Sequence, residues 1–382
     1  MVRRREVGAD QMGFKQNRLW LAICAVLIAV GGFMVFNFFD RHEDISTQQR
    51  QRLVNLAAAF NANLSEQLRA SSRMLDGLAM TAPSLRKEPN GLVRLNARMA
   101  MLSESVTGIR SILLVNAQGT TIASNRPELI GQDMSSGQRF TDMRAANDPK
   151  TLYVSAPFTT PLGTYTIGLG RGLQDGAGAF DGYLFAILEP DYFGVLMKSL
   201  LYAPDMRLSI AHSDGLVIYS TQTSPDIRGF DLSTKPDSLF NRHMSSGQRS
   251  SFSIDHSTAT SDLRFVAIHT VLPAGVSANK PLVVAVSREA SAVFSDWRTA
   301  LMQMGGLYSG MVLTMGLAYW GYVRRQRAYH RVLTQKEAVR QEAESSGDRP
   351  FRELEFPDVA GLEVDRAGQG DGGVPAHPAV GQ

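Results

Sequence analysis

The stretch Ile109–Ser135, IRSILLVNAQGTTIASNRPELIGQDMS, decides how the rest of the chain is read. It holds a short apolar run, a tight polar turn ending in glycine, a second short run ending in serine, and then Gly-x-Asp-apolar-Ser. From Leu208 to Ser233 the chain repeats the scheme as LSIAHSDGLVIYSTQTSPDIRGFDLS. Gln118-Gly119 matches Asp214-Gly215, Ser124 matches Ser220, and Gly131-Gln132-Asp133 matches Gly229-Phe230-Asp231. A turn closing on glycine between β-rich runs predicts a hairpin, because glycine takes positive φ without strain. Two such hairpins with the same downstream Gly-x-Asp predict two copies of one module.

Two uncharged apolar spans bracket the repeat. Residues 19–39 (LWLAICAVLIAVGGFMVFNFF) are long enough to cross a bilayer core of ~30 Å. The run continues through Phe33, Phe36, Phe38 and Phe39, which favours an uncleaved anchor over a cleaved signal peptide. Residues 301–323 (LMQMGGLYSGMVLTMGLAYWGYV) end on Tyr319, Trp320 and Tyr322, residue types that settle at a membrane interface. Arg3, Arg4, Arg5, Lys15 and Arg18 precede the first span, and Arg324, Arg325, Arg327 and Arg331 follow the second. The positive-inside rule then predicts cytoplasmic termini and an exported segment 40–300. A net charge of +3 reflects this orientation and points to no nucleic-acid surface. The one cysteine, Cys24, lies within the first span, so no disulfide can form within one chain.

Between the spans, residues 40–82 read as a long stalk helix. Leu53, Leu56, Ala57, Phe60, Leu64, Leu68, Leu75 and Leu78 recur at helical spacing, and no proline interrupts before Pro83. This face suits packing on the helix's own domain, on a second protomer, or on both. A second helix is predicted over Leu92–Val106. The first module has expected strands at Ile109–Asn116, Thr120–Ser124, Thr151–Phe158, Thr164–Arg171 and Phe180–Leu188. The second continues beyond its hairpin with Arg249–Asp255, Leu263–Leu272 and Leu282–Ser287, and a helix is expected from Arg288. The resulting division is a cytoplasmic N-terminus (1–18), transmembrane helix (19–39), stalk helix (40–82), membrane-distal module (83–200) and membrane-proximal module (201–290). A connecting helix (291–300), a second transmembrane helix (301–323), a cytoplasmic helix (324–344) and a disordered tail (345–382) follow. The fold class is α+β, with antiparallel sheets and helices on one side.

No catalytic constellation is present in the sequence: no His-Glu-x-x-His or Cys-x-x-Cys pair for zinc, and no Gly-x-Ser-x-Gly elbow. The glycines at 168, 170, 172, 176 and 178 lack the order and the helix start of a nucleotide loop, and a strand end with a loose turn explains them. The expectation is a non-enzyme without cofactor or metal. Binding chemistry concentrates in the first module. Arg139, Phe140 and Arg144 follow the Gly-x-Asp turn, and in a helix Phe140 and Arg144 share a face with Arg139 beside it. Tyr153 and Ser155 alternate onto one side of the third strand, and Arg171 closes the fourth. Guanidinium groups beside an aromatic ring suit an anionic head group such as a carboxylate. The competing reading pairs these arginines with Asp142, Asp148 or Asp175. Met206–Ser287 offers no comparable cluster.

These residues resemble the double Cache sensor domains of bacterial transmembrane receptors, as found N-terminal to diguanylate cyclases and histidine kinases. The resemblance covers about Ser46–Arg298. It rests on the long first helix, the hairpin ending Ala123-Ser124 with Gly131-Gln132-Asp133, and Leu152-Tyr153-Val154-Ser155-Ala156-Pro157. It is densest in IGLGRGLQDGAGAFDGYLFAILEPDYF, Ile167–Phe193. It implies two PAS-like antiparallel-sheet modules on the long N-terminal helix and a small-molecule ligand, typically in the membrane-distal module. With the stalk periodicity it also implies a homodimer. Arg139 is followed by Phe140-Thr141-Asp142, which departs from the Arg-x-Trp-Tyr pattern of the amino-acid-binding subgroup. No cyclase or kinase motif follows Val323. The expected function is a two-pass sensor of the inner (plasma) membrane, its sensing segment periplasmic or extracellular, that signals to a separate cytoplasmic partner. The alternatives are the input half of a truncated cyclase or kinase, or a non-sensing envelope scaffold.

Overall fold

The computed structural model describes residues 3–160, 163–222 and 226–345. Its contacts divide the chain into two units at Ser309/Gly310. In chain order, α1 (Arg3–Leu85) and α2 (Gly91–Ser105) precede β1 (Ile109–Asn116) and β2 (Thr121–Ser124). Then come α3 (Gln138–Ala146), β3 (Tyr153–Val154), β4 (Phe158–Thr159), β5 (Tyr165–Thr166), β6 (Gly168–Gln174) and β7 (Phe180–Leu188). Helix α4 (Pro190–Leu200) leads to β8 (Arg207–His212), β9 (Val217–Ser220), α5 (Leu239–Ser246), β10 (Ser250–His256), β11 (Leu263–Val271) and β12 (Leu282–Glu289). A short α6 (Ala290–Val293) and a long α7 (Ser295–Ser345) follow.

The strands form two five-stranded antiparallel sheets, β2-β1-β7-β6-β3 and β9-β8-β12-β11-β10, which have the same topology. The repeated hairpin is what makes them alike. Gly119 and Gly215 sit at φ +93° and +98°, and an added Cβ would also strike Ser135 in one copy and Ser233 in the other. In each copy the Gly-x-Asp segment returns along the hairpin. Gly131 N–H donates to the Thr121 carbonyl and Gly229 N–H to the Val217 carbonyl, both at 2.8 Å. Asp133 and Asp231 each accept from the backbone N–H two residues on, also at 2.8 Å. Turn, return arm and aspartate cap therefore form one unit, and that is why their residues recur together.

Both sheets rest on α1, an 83-residue helix. The buried residues Leu53, Ala57, Phe60, Leu64, Leu68, Ser71, Leu75, Leu78 and Ala82 lie three or four apart and make one stripe. The stripe joins residues of both sheets in one continuous core, among them Leu169, Leu184, Ile210, Phe265 and Val284. Polar ties fix the helix at each level. Gln49 accepts from Arg288 at the second sheet, at 3.3 Å, and Ser72 accepts from Arg171 at the first, at 2.6 Å. A direct join links the sheets: Leu152 N–H donates to the Ser277 carbonyl at 2.7 Å, and Val154 N–H donates to Asn279 Oδ1 at 2.7 Å.

Several expected boundaries move for identifiable reasons. The third expected strand divides into β3 and β4 around Ser155–Pro157, since proline brings no N–H to a ladder. The fourth divides at Ile167, so that β4 and β5 pair as a separate small hairpin. Arg288 lies in β12 rather than in a helix, because its guanidinium is held by Asp205 at 2.9–3.0 Å. The stalk residues 40–82 belong to α1, which runs without a break from Arg3 to Leu85. Among the described residues, one helix is long and apolar enough to cross a membrane, in the part of α1 beginning at Trp20. Residues 346–382, expected as a disordered tail, lie outside the described residues.

Two outcomes follow. Gly119→Ala should destabilise the protein by more than ~1 kcal/mol, because it combines positive φ with a steric clash. Gly176→Ala, with open space around it, should leave the thermal midpoint unchanged; circular-dichroism melts of the two variants check this. Burial raises the Asp205 carboxyl, but Arg288's hydrogen bond and charge outweigh it and hold the group below its usual 3.8. Its stabilisation is thus fully present above pH 3.8 and is lost as the pH falls through the lower folded value. Arg288→Gln should cost about 3 kcal/mol at neutral pH and raise the midpoint of acid unfolding, read by tryptophan fluorescence.

Candidate ligand-binding site

Alternation along a strand sends side chains to opposite faces, and in β7 it sends Leu184 and Ala186 towards α1 and Tyr183 and Phe185 to the outer face. The outer face gathers Leu113, Val115, Tyr183 and Phe185, and α3 covers it with Phe140 and Met143. A Cβ on Gly168 would collide with the Phe185 ring, and one on Gly170 would press tightly against Met143 and Phe185. The glycine run therefore belongs largely to a strand, and its lack of side chains makes room for the aromatic layer. Phe158, Phe180 and Tyr153 pack around the rim.

Arg139 projects from the first turn of α3 over this layer. Its Cζ lies 3.7 Å from the Phe158 ring centroid and 5.7 Å from that of Phe185. Cation–π contact of this kind contributes roughly 0.5–2 kcal/mol. The side chain is half-buried, and burial pulls its pKa down, with Tyr183 and Tyr153 beside it. Among the described residues no carboxylate pairs with it. Asp142 instead accepts from Tyr153 Oη and Gln138 Nε2, both at 2.7 Å. Asp148 accepts from Lys150 N–H at 2.8 Å, and Asp175 caps its own turn through Ala177 and Ala179. Burial raises both tyrosines, Tyr183 to about 12, with the hydrogen bond to Asp142 adding to the shift on Tyr153. At neutral pH the two phenols therefore stay uncharged. The site is a cation on an aromatic floor, with neutral hydroxyls at its side and no paired carboxylate among the described residues.

The six residues proposed from sequence separate into groups. Arg139, Phe140 and Tyr153 come together in this cluster, Phe140 as a buried ring at 5.9 Å from Phe180. Ser155, two residues after Tyr153, is fully buried, accepting from Gly168 N–H at 2.9 Å and donating to the Ala156 carbonyl at 3.0 Å. Arg144 stands one turn on from Phe140 in the last turn of α3, but its side chain is exposed, while Phe140 and Met143 are the residues this helix buries. Arg171 is on the other side of the sheet. It is 3 % exposed and bound to Ser72, to Asp76 at 2.9 Å and to the Lys150 carbonyl at 2.5 Å, so it ties β6 to α1. Phe158, Tyr183 and Phe185 were absent from the expected set. The glycines at 168 and 170, two apart on a strand beside FDGYLFAIL, are the signal that could have found them. Among the described residues no group of three His, Cys, Asp or Glu side chains could hold a metal ion.

No protein-family model matches the sequence, and no curated protein matches it significantly. Solved structures do match the fold. The extracellular domain of rpHK1S-Z16, assigned as a histidine kinase, is similar at TM-score 0.56 and 21% identity, over 66% of this chain and 98% of that one. The periplasmic sensory domain of the Campylobacter jejuni chemoreceptor Tlp1 is similar at TM-score 0.51 and 12% identity, over 65% and 98%. The chain thus has the fold of the periplasmic and extracellular sensory domains of bacterial receptors, in keeping with the Cache-type resemblance of its sequence.

Proposed function

We propose that this chain is a membrane-anchored extracytoplasmic sensor of a small anionic molecule, bound in the membrane-distal module with Arg139 as its anchor. The observation that carries the reading is the absence of a counter-ion. A partly desolvated guanidinium without a carboxylate is costly, and an anionic ligand removes the cost while its body stacks on Phe158 and Phe185. The sensory-domain fold supports the same reading.

The proposed signal route follows the backbone. Tyr153 sits between Leu152 and Val154, the residues hydrogen-bonded to Ser277 and Asn279. Those residues lead into β12, and β12 runs through α6 into α7. A ligand that binds one position of Tyr153 better than another shifts this linkage by its difference in affinity. We assign α7 from Leu301 to Val323 as a second membrane crossing, although glycines and Gln303 dilute its hydropathy. Two contacts support it: Tyr308 Oη donates to the Leu27 carbonyl at 2.8 Å, and Trp297 Nε1 to the Phe38 carbonyl at 3.1 Å. The start of α7 thereby runs beside the apolar part of α1. In this reading the protein is a homodimer of the inner membrane with cytoplasmic termini, and it acts on a separate cytoplasmic partner.

Thermal melting of the full chain in nanodiscs against small carboxylates, phosphates and amino acids tests the sensor. A ligand at a hundred times its Kd should add ~2.7 kcal/mol. Arg139→Gln should abolish that gain and Arg144→Ala should retain it; a panel that shifts nothing, or a gain surviving Arg139→Gln, refutes the site. Topology is tested in a Cys24→Ser background. An impermeant maleimide should label Ser245→Cys on intact cells, and Gln335→Cys only after lysis.

A further inference from the structure

The second sheet repeats the topology of the first but not its filling. Matching the strand registers places Ser209 and Ala211 of β8 where the first sheet has Leu113 and Val115, and Ala285 of β12 where it has Phe185. Beneath α5 these small residues leave a cavity of about 90 Å³ on the outer face. The cavity is amphipathic along the strands. β8 runs Arg207, Ser209, Ala211 and β12 antiparallel to it runs Ser287, Ala285, Val283, so both pass from polar to apolar in the same direction.

Charge at the polar end does not balance. Arg264, 2 % exposed, is fully engaged: with Asp262 at 2.7 Å, Ser287 Oγ at 3.0 Å and the Asp205 carbonyl at 2.6 Å. Arg207 donates from Nη1 to Thr260 Oγ1 at 2.9 Å and lies 3.4 Å from the same Asp262 carboxylate. One carboxylate thus serves two guanidiniums, and Nε and Nη2 of Arg207 have no acceptor among the described residues. We propose that this cavity is a second binding site, in the membrane-proximal module, for a short unbranched monocarboxylate. Its head group pairs with Arg207 and its tail occupies the space beside Ala211 and Ala285. The size fits: a dry cavity of ~150 Å³ takes benzene, so ~90 Å³ takes a tail of roughly three or four carbons. A site here lies directly on β12, one strand from α6, and so reaches the membrane helix without passing through the first sheet.

The test uses the full chain in nanodiscs with butyrate as probe and butyramide as its neutral counterpart. Calorimetric titration should show butyrate binding at least tenfold tighter than butyramide, in the wild type and in Arg139→Gln alike. Ser209→Leu, which restores the first sheet's residue, and Arg207→Gln should each weaken butyrate at least tenfold. If Ser209→Leu loses its circular-dichroism signal, Ala285→Leu serves as the filling variant. Equal binding of butyrate and butyramide overturns the carboxylate assignment. Binding abolished by Arg139→Gln but untouched by Ser209→Leu transfers it to the first sheet. Heat no greater than that of sodium chloride at the same concentration in the wild type removes the site.

Discussion

The buried stripe of α1, from Leu53 to Ala82, is the constraint on which the two sheets depend. Neither sheet has a second sheet against its inner face; each closes its core on the same helix, and the buried residues form one cluster across both. A buried leucine in such a stripe contributes roughly 1.5–3 kcal/mol, so the helix is the largest shared source of stability. Sharing it has a mechanical effect. The two sheets are held at fixed levels along one rod, by Arg288 and Gln49 at one and by Arg171 and Ser72 at the other. The Leu152–Ser277 and Val154–Asn279 hydrogen bonds join the two sheets directly as well.

Three arginines with reduced exposure show how the same side chain does different work. Arg171 and Arg264 are almost fully buried and each has a carboxylate, Asp76 and Asp262, together with carbonyl and hydroxyl acceptors. They join strand to helix and strand to loop. Arg139 is less buried, lies on rings, and among the described residues has no carboxylate partner. Burial alone therefore does not separate the three; the presence or absence of a carboxylate among the described residues does.

Periodicity made much of the fold legible. The stripe of α1, the bounds of β1 and β7, and the repeated hairpin follow from spacings of three to four, of two, and from glycine at positive φ. The breaks at Ser155–Pro157 and Ile167 were harder, because a local run of β-formers says nothing about which neighbouring strand takes its N–H groups. Arg139 and Tyr153 were legible as chemistry, but the face on which each arginine emerges was not. Arg171 reads like a pocket residue until strand alternation places it with Leu169 and Leu173, on the side of α1. Phe158 and Phe185 were missed for a related reason: an aromatic residue in a strand signals core, and only contact with a charged group in another element gives it a further role.

Gly170 faces Phe185 across β6 and β7, while Ile268 faces Ala285 across β11 and β12. The two copies hold a small and a large residue in this layer in opposite order. The exchange is incomplete in the second copy, where Ile268 and Ala285 both line the cavity beneath α5. Changing one partner alone leaves a gap or a tight contact, so transplanting the outer face of one module onto the other has to move both strands together.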